Sequence, residues 1–163
     1  MRAIPWISTA LPLITCDRGA EALHDNTFLQ SAGRLSPLTL AFIGDGVFAL
    51  LARCHVLEHN ANMPVSKLHR LTVELVEARA QSRAYAILEP LLNEQESAVM
   101  RRGRNAHSPT VPRRADVVDY RRSTGVEALF GYLYLKDERE RIDELFAAIV
   151  GEEEGEDACG TDI

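Results

Sequence analysis

Ser36-Pro37-Leu38-Thr39-Leu40-Ala41-Phe42-Ile43-Gly44-Asp45-Gly46-Val47-Phe48-Ala49-Leu50-Leu51-Ala52 is the stretch on which the fold turns. Ser36 offers a hydroxyl to a free backbone N–H, and Pro37 needs no N–H partner and already has a helical φ, so the pair marks a helix start. Leu40, Ile43, Val47, Leu50 and Cys54 then recur at spacings of three and four, the repeat of one helical face. The helix is expected to run to about Glu58, and Asn60-Ala61-Asn62-Met63-Pro64 breaks it. Between Leu38 and Ala52 the only charged residue is Asp45. A helix apolar on every face is expected to be buried. An ionised carboxylate buried there without a partner costs several kcal/mol, or its pKa rises until it is neutral. Gly44 and Gly46 flank it, although each glycine costs about 1 kcal/mol against alanine in a helix interior. Glycines kept at that cost let a second backbone or a ligand come close.

The same punctuation continues downstream. Ser66 starts a second expected helix, with Leu68, Leu71, Leu75 and Val76 as its buried stripe, ending near Leu88 before Glu89-Pro90. Asn93 with Glu96 has the form of a capping box and opens a short helix to about Arg102. Gly103, Pro109 and Pro112 mark 103–112 as a loop, and Asp116–Tyr120 reads as a helical turn. Ser123 begins a helix to Leu135. Asp137, with Glu140 three helical positions on, caps the last helix, which turns Ile142, Leu145, Phe146 and Ile149 inward and stops at Gly151. No stretch alternates as a strand would, and no segment repeats. The expected fold is all-α, several helices around one core.

The 163 residues make one domain of ordinary size, and 46% apolar with 26% charged residues suits a globular protein with a real core. Three domain-level segments follow: an N-terminal extension over 1–34, expected to be flexible; the helical domain over 35–150; and an acidic tail over 151–163, expected to be disordered. Pro5 and Pro12 interrupt the apolar start, which argues against an export signal. No apolar run is expected to reach the roughly 20 residues of a membrane span, so no membrane partner is expected. Cys16, Cys54 and Cys159 are odd in number and far apart, which excludes a disulfide framework and fits a reducing compartment. The expected location is the cytoplasm, or a plastid stroma if the extension is a transit peptide. The net charge of −6 argues against a nucleic-acid partner only until its distribution is read. All of it lies in the tail, where Glu152, Glu153, Glu154, Glu156, Asp157 and Asp162 meet no base. Residues 101–122 hold seven arginines against two aspartates, a local excess of positive charge.

Glu127 is to the helix over 123–135 what Asp45 is to the first: its only charge, one turn from Gly131. Two readings stand side by side. Each acid caps a neighbouring helix or meets an arginine. Alternatively, the two face each other across packed helices and hold a divalent cation. Hard carboxylate oxygens suit Mg²⁺, which keeps several waters and needs one or two carboxylates plus substrate phosphate. With an arginine-rich strip in the same chain, such a site points to phosphodiester hydrolysis.

Leu40-Ala41-Phe42-Ile43-Gly44-Asp45-Gly46-Val47-Phe48 resembles the signature helix of ribonuclease III catalytic domains. Thr124-Gly125-Val126-Glu127-Ala128-Leu129-Phe130-Gly131-Tyr132-Leu133-Tyr134-Leu135 resembles the second acidic motif of that family. Arg101-Arg102-Gly103-Arg104-Asn105-Ala106, Val111-Pro112 and Tyr120-Arg121-Arg122-Ser123-Thr124 resemble its Mini-III branch, which lacks a double-stranded-RNA-binding domain. The resemblance spans about 35–150. It implies an all-α, homodimeric, Mg²⁺-dependent endoribonuclease acting on double-stranded RNA, on a branch that in bacteria matures the ends of large-subunit (23S) ribosomal RNA precursor. Ribonuclease III proper has further acids where this chain has Ala41 and Thr124, and the Mini-III branch shares those absences. By resemblance, Asp45 and Glu127 are the catalytic and metal-binding pair, with Thr124 at most a weak or water-mediated ligand. The alternative is a non-catalytic RNA-binding or ribosome-assembly factor on the same fold.

Arg101, Arg102, Arg104, Arg113, Arg114, Arg121 and Arg122 outnumber the nearby acids Asp116 and Asp119, so phosphate contacts are expected of them, against the plainer reading of a solvated surface. Asn105 and His107 are expected to hydrogen-bond across the shallow minor groove of A-form RNA. Lys67, His69 and Arg70 form a second, weaker patch. His55 and His59 have the i, i+4 spacing of zinc ligands but no glutamate between them in the metalloprotease position. Cys54 is expected to pack as a small hydrophobe. Tyr132 and Tyr134 are expected in the core or a dimer interface, and the acidic tail to serve solubility.

Overall fold

The computed structural model describes residues 32–106 and 116–158, with side chains to residue 151. Six α-helices and two short 3-10 turns, Ala32–Arg34 and Glu89–Leu91, occur among these residues, and no strand does: α1 Pro37–Asn60, α2 Val65–Val76, α3 Ala78–Leu88, α4 Glu94–Arg104, α5 Val117–Leu135 and α6 Arg139–Ala158. The all-α expectation holds. Ser36 caps α1 as its sequence implies, its hydroxyl accepting from the Thr39 N–H at 3.1 Å. Asn93 and Glu96 form the reciprocal box that opens α4, each side chain taking the other's backbone N–H at 3.0 Å.

α5 is the axis of the fold and packs most extensively against α1, α4 and α3. From Ser123 to Leu133 every residue except Glu127 is buried. Phe48 of α1 meets Phe130 and, from α6, Phe146 edge to face at 5.2 and 5.5 Å. Ile142, Leu145, Phe146 and Ile149 face inward as expected, Tyr132 is buried and Tyr134 half-buried. Glu96 anchors α4 to α6. Arg141 forks onto its two carboxylate oxygens at 3.0 and 2.9 Å and also donates to Leu91 O at 2.7 Å. Burial alone would raise the Glu96 carboxyl, but the hydrogen bonds from Arg141 and the Asn93 N–H outweigh it and hold the group below its ordinary value.

Several boundaries differ from the sequence reading, each for a physical reason. The helix expected over 66–88 is two, because Glu77 is extended at φ −64°, ψ 153°. Its N–H still ends α2 on Val73 O and its carbonyl starts α3 by accepting from Gln81, each at 3.0 Å, so the bend forfeits few bonds. The bend turns the small residues Ala80, Ser82 and Ala84 inward, whereas the stripe expected to be buried on α2 is only half-buried, with Leu75 and Val76 packed against the edge of the core and Thr72 the one buried residue of that helix. Gly103 does not begin a loop, since α4 continues through Arg104. A Cβ at 103 would stand 2.7 Å from Ala128 Cβ and 2.8 Å from Thr124 O, so this glycine is a contact point rather than a breaker. Ser123 is not an N-cap. α5 is continuous from an Asp116 cap, and the Ser123 and Thr124 hydroxyls both donate to Tyr120 O at 2.9 Å, within their own helix.

Asp137 has φ 58° and precedes the start of α6, and its carboxylate accepts from Arg139 Nε at 2.7 Å. Gly151 does not end α6, which continues to Ala158. The helix thus runs into the acidic segment, whose glutamates are good helix formers. Residues 159–163, and 1–31 of the N-terminal extension, lie outside the described residues. Ala32 is already fully buried in the core, and Arg102 holds the adjacent turn by donating to Gly33 O at 3.3 Å.

Two expectations about α1 also need correcting. Its 24 residues are long and apolar enough to cross a membrane by length and composition, contrary to the sequence reading, because few charges interrupt its apolar run. Nor is it buried all round. Leu40, Ala41, Phe48, Ala52 and Val56 enter the core, but Phe42 is 80% exposed, Leu50 46% and Leu57 49%. One small core reaches only one side of a helix.

Candidate active site

Where α1 crosses α5 the two backbones touch. A Cβ on Gly44 would fall 1.7 Å from Glu127 O and 2.7 Å from Gly131 N. One on Gly131 would fall 2.0 Å from Leu40 O. No side chain fits at either position, which accounts for two glycines in helix interiors. Gly46 is different, since its Cβ would meet nothing within 4 Å.

The crossing sets Asp45, next to Gly44, against Glu127, one turn before Gly131. Asp45 is exposed, contrary to the burial expected of it, and Glu127 is half-buried. Burial first, and the negative charge of Asp45 second, push the Glu127 carboxyl up to about 7. Among the described residues neither acid has an ion-pair or hydrogen-bond partner, although Arg70, Lys136, Arg139 and Arg141 all find carboxylates elsewhere. The reading in which each acid meets an arginine or caps a helix thus has no partner to rest on. What remains is two like charges held together by backbone packing, an arrangement that a divalent cation relieves.

Among the described residues no group of three or more His, Cys, Asp or Glu side chains comes together. A cation between Asp45 and Glu127 would therefore keep most of its shell for water and phosphate, as Mg²⁺ prefers. Ala41 offers no ligand, and the Thr124 proton is committed to Tyr120 O. The rings of His55 and His59 lie 4.6 Å apart and tilted by 48°, and His59 Nδ1 lies 2.9 Å from His55 O, within their own helix. The Cys54 thiol is raised by burial and then by Glu58, which leaves it a poor nucleophile.

The expected arginine surface is only partly described. His107, Arg113 and Arg114 lie outside the described residues. Arg101, Arg102 and Arg121 are exposed. Arg104 and Arg122 come from different helices to the same place, over the ring of Tyr85 at 5.7 and 5.8 Å from its centroid. Asn105 caps α4 and accepts from Arg104 Nε at 3.3 Å. Lys67 is exposed at the start of α2, and Arg70 pairs with Glu74 across 3.8 Å of open surface. His69 joins Arg53, Leu57, Val65, Leu68 and Thr72 around a groove of about 240 Å³. Tyr85 does not stand out in the sequence. Its one signal there is a lone aromatic among the small residues of α3, far along the chain from the arginine-rich run.

The Ribonuclease III domain model matches residues 38–138, which takes in both acids and the α4–α5 contact. The Mini-ribonuclease 3 of Clostridium tetani is 40% identical over 121 residues, 74% of this chain and 80% of that protein. That of a Thermoanaerobacter species is 48% identical over 108 residues, 66% of this chain and 75% of that protein. The Streptococcus pneumoniae protein is 38% identical over 123 residues, 74% and 95% of the respective chains. Among solved structures, a Fusobacterium nucleatum protein superposes with a TM-score of 0.65 at 28% identity, covering 71% of this chain and 93% of that one. Enzymes of the ribonuclease III family are generally metal-dependent and act on double-stranded RNA, which suits an unpaired carboxylate couple beside clustered arginines. The chain belongs to the ribonuclease III family, among its Mini-ribonuclease 3 members, and is an endoribonuclease.

Proposed function

We propose that this endoribonuclease cuts double-stranded RNA with Mg²⁺ held by Asp45 and Glu127, works as a homodimer, and matures the ends of large-subunit ribosomal RNA precursor. The observation that carries the reading is the pair of carboxylates at the Gly44–Gly131 crossing, without partners among the described residues and one of them raised to about 7. When bound, the cation supplies activation of a water and charge stabilisation at the phosphodiester. Asp45 and Glu127 hold it from opposite helices. The close backbone contact fixes their separation, and the open side of Asp45 leaves room for the RNA strand. Exposed arginines on the last turn of α4 and the first turns of α5 position the duplex through its phosphates.

The dimer rests on the apolar side of α1 that the core leaves bare, with Phe42, Leu50 and Leu57 exposed. A two-fold axis through that face would cover it and give two active sites for the two strands of one duplex. The ribosomal substrate rests on the resemblance to the Mini-III branch, and the cytoplasm is the location that goes with it, or a plastid stroma if residues 1–34 act as a transit peptide. The test is incubation of a perfect RNA duplex and of its single strands with the protein in Mg²⁺ and in EDTA. Cleavage of the duplex in Mg²⁺ alone is expected. A duplex bound tightly but left intact in Mg²⁺ would instead assign the chain to RNA binding without catalysis.

A further inference from the structure

Tyr85 is 2% exposed, and its hydroxyl is buried with no hydrogen-bond partner among the described residues. A buried tyrosine kept for its hydroxyl normally satisfies it, so what this position uses is the ring. One edge of the ring is wedged against α5, where a Cβ on Gly125 would lie 3.1 Å from Cε2. Over the ring stand Arg104, from the last turn of α4, and Arg122, from α5, both within cation–π range. Among the described residues no carboxylate pairs with either. Arg104 spends its Nε on Asn105, and Arg122 makes no hydrogen bond among them. Two guanidinium groups are thus drawn to one ring, with their terminal nitrogens unclaimed among the described residues and their like charges uncompensated. A planar guanidinium held at one end presents the two-pronged donor edge that fits a phosphate.

We propose that Tyr85 is a positioning residue that seats Arg104 and Arg122 as a two-armed clamp for the phosphates of an RNA strand. The inference rests on the duplex-RNA reading above and adds to it which arginines are pre-set and what sets them. The ring takes no part in chemistry. It removes rotamer freedom that each arginine would otherwise lose on binding.

The test compares full-length wild type with Tyr85→Leu, Tyr85→Phe and the double variant Arg104→Lys with Arg122→Lys. Duplex RNA is the probe, with binding measured across salt, cleavage at saturating RNA, and melting temperature. Tyr85→Phe keeps the ring and should bind as wild type does. Tyr85→Leu should raise KM and leave kcat unchanged. Its slope of log affinity against log salt should flatten by up to about two, the limit reached if neither loosened arginine still holds its phosphate. The double lysine variant keeps the charge but loses the flat two-pronged edge, and it should weaken binding about as much. It decides the matter if Tyr85→Leu fails to fold. A Tyr85→Leu protein that melts earlier yet keeps the wild-type slope and KM, or a double lysine variant that binds as wild type, would overturn the clamp. Wild type that ignores duplex RNA would overturn the duplex reading itself, and the clamp with it, before any variant is made.

Discussion

Glu127→Gln should make the metal-free protein more stable at pH 8 and no more stable at pH 4. The carboxyl of Glu127 sits near 7 in the folded chain against an ordinary 4.5, raised by burial and then by Asp45. Because the folded pKa is the higher one, the folded state holds its proton where the unfolded chain has lost it. This group's stabilising contribution is complete below pH 4.5, fades as pH rises to 7, and stays lost above. A rise of that size corresponds to about 3 kcal/mol at 1.36 kcal/mol per pH unit. Solvent on the open Asp45 side reduces that to about 2 kcal/mol. Glutamine never ionises, so the variant is spared this cost. At about 2–4 °C per kcal/mol, its melting temperature in EDTA should exceed that of wild type by about 4–8 °C at pH 8. The difference should vanish by pH 4. Asp45→Asn should recover only the smaller part, since burial is the larger cause. Adding Mg²⁺ at pH 8 should raise the melting temperature of wild type and barely move that of Glu127→Gln. The comparison of variants cancels titrations elsewhere, such as that of Glu96. A melting difference that is flat from pH 4 to pH 8, or a Glu127→Gln protein less stable at pH 8, would refute the argument.

Gly44→Ala and Gly131→Ala should each unfold the domain or cost more than about 3 kcal/mol in urea melts, since their Cβ atoms would collide with backbone, whereas Gly46→Ala should fold and gain up to about 1 kcal/mol from helix propensity. Glu96→Ala should cost about 3 kcal/mol by the same measurement, because it strands the Arg141 guanidinium and the Asn93 N–H together. Phe42→Asp should leave the fold intact, as seen by circular dichroism, and shift light scattering from dimer to monomer; a dimer that survives the charge would move the interface elsewhere.

Local chemistry was legible in the sequence at the starts of α1 and α4, and not at Ser66 or Asp137, since α2 begins at Val65 and α6 at Arg139. Ser36, Pro37, Asn93 and Glu96 mark helix starts because capping involves atoms three positions apart, and all four stand where expected. The two acids stand out in the sequence because a lone charge on an apolar helix asks for an explanation, and the fold brings them to one crossing. What failed were positions decided by a neighbour far along the chain. Gly103 looks like a breaker but serves the approach of α5. Ser123 fails for a different reason: a serine hydroxyl can return to the carbonyl three residues back, here Tyr120, as readily as it caps a helix. The bend at Glu77 involves neither glycine nor proline and follows from the need to turn small residues toward α5. Asp45 lies in the open because the core of a single chain covers only one side of a helix that is apolar all round. Tyr85 gathers two arginines that are neighbours only in space.

The most direct measurement is cleavage of a radiolabelled RNA duplex in Mg²⁺ by wild type, Asp45→Asn and Glu127→Gln, with duplex binding followed in parallel. The account predicts that wild type cuts both strands, and that each amide variant binds the duplex as tightly yet cuts it at least about 100-fold more slowly, the loss expected when a group that stabilises transition-state charge is removed. Cleavage by either variant at near the wild-type rate would contradict the assignment of this carboxylate pair as the active site.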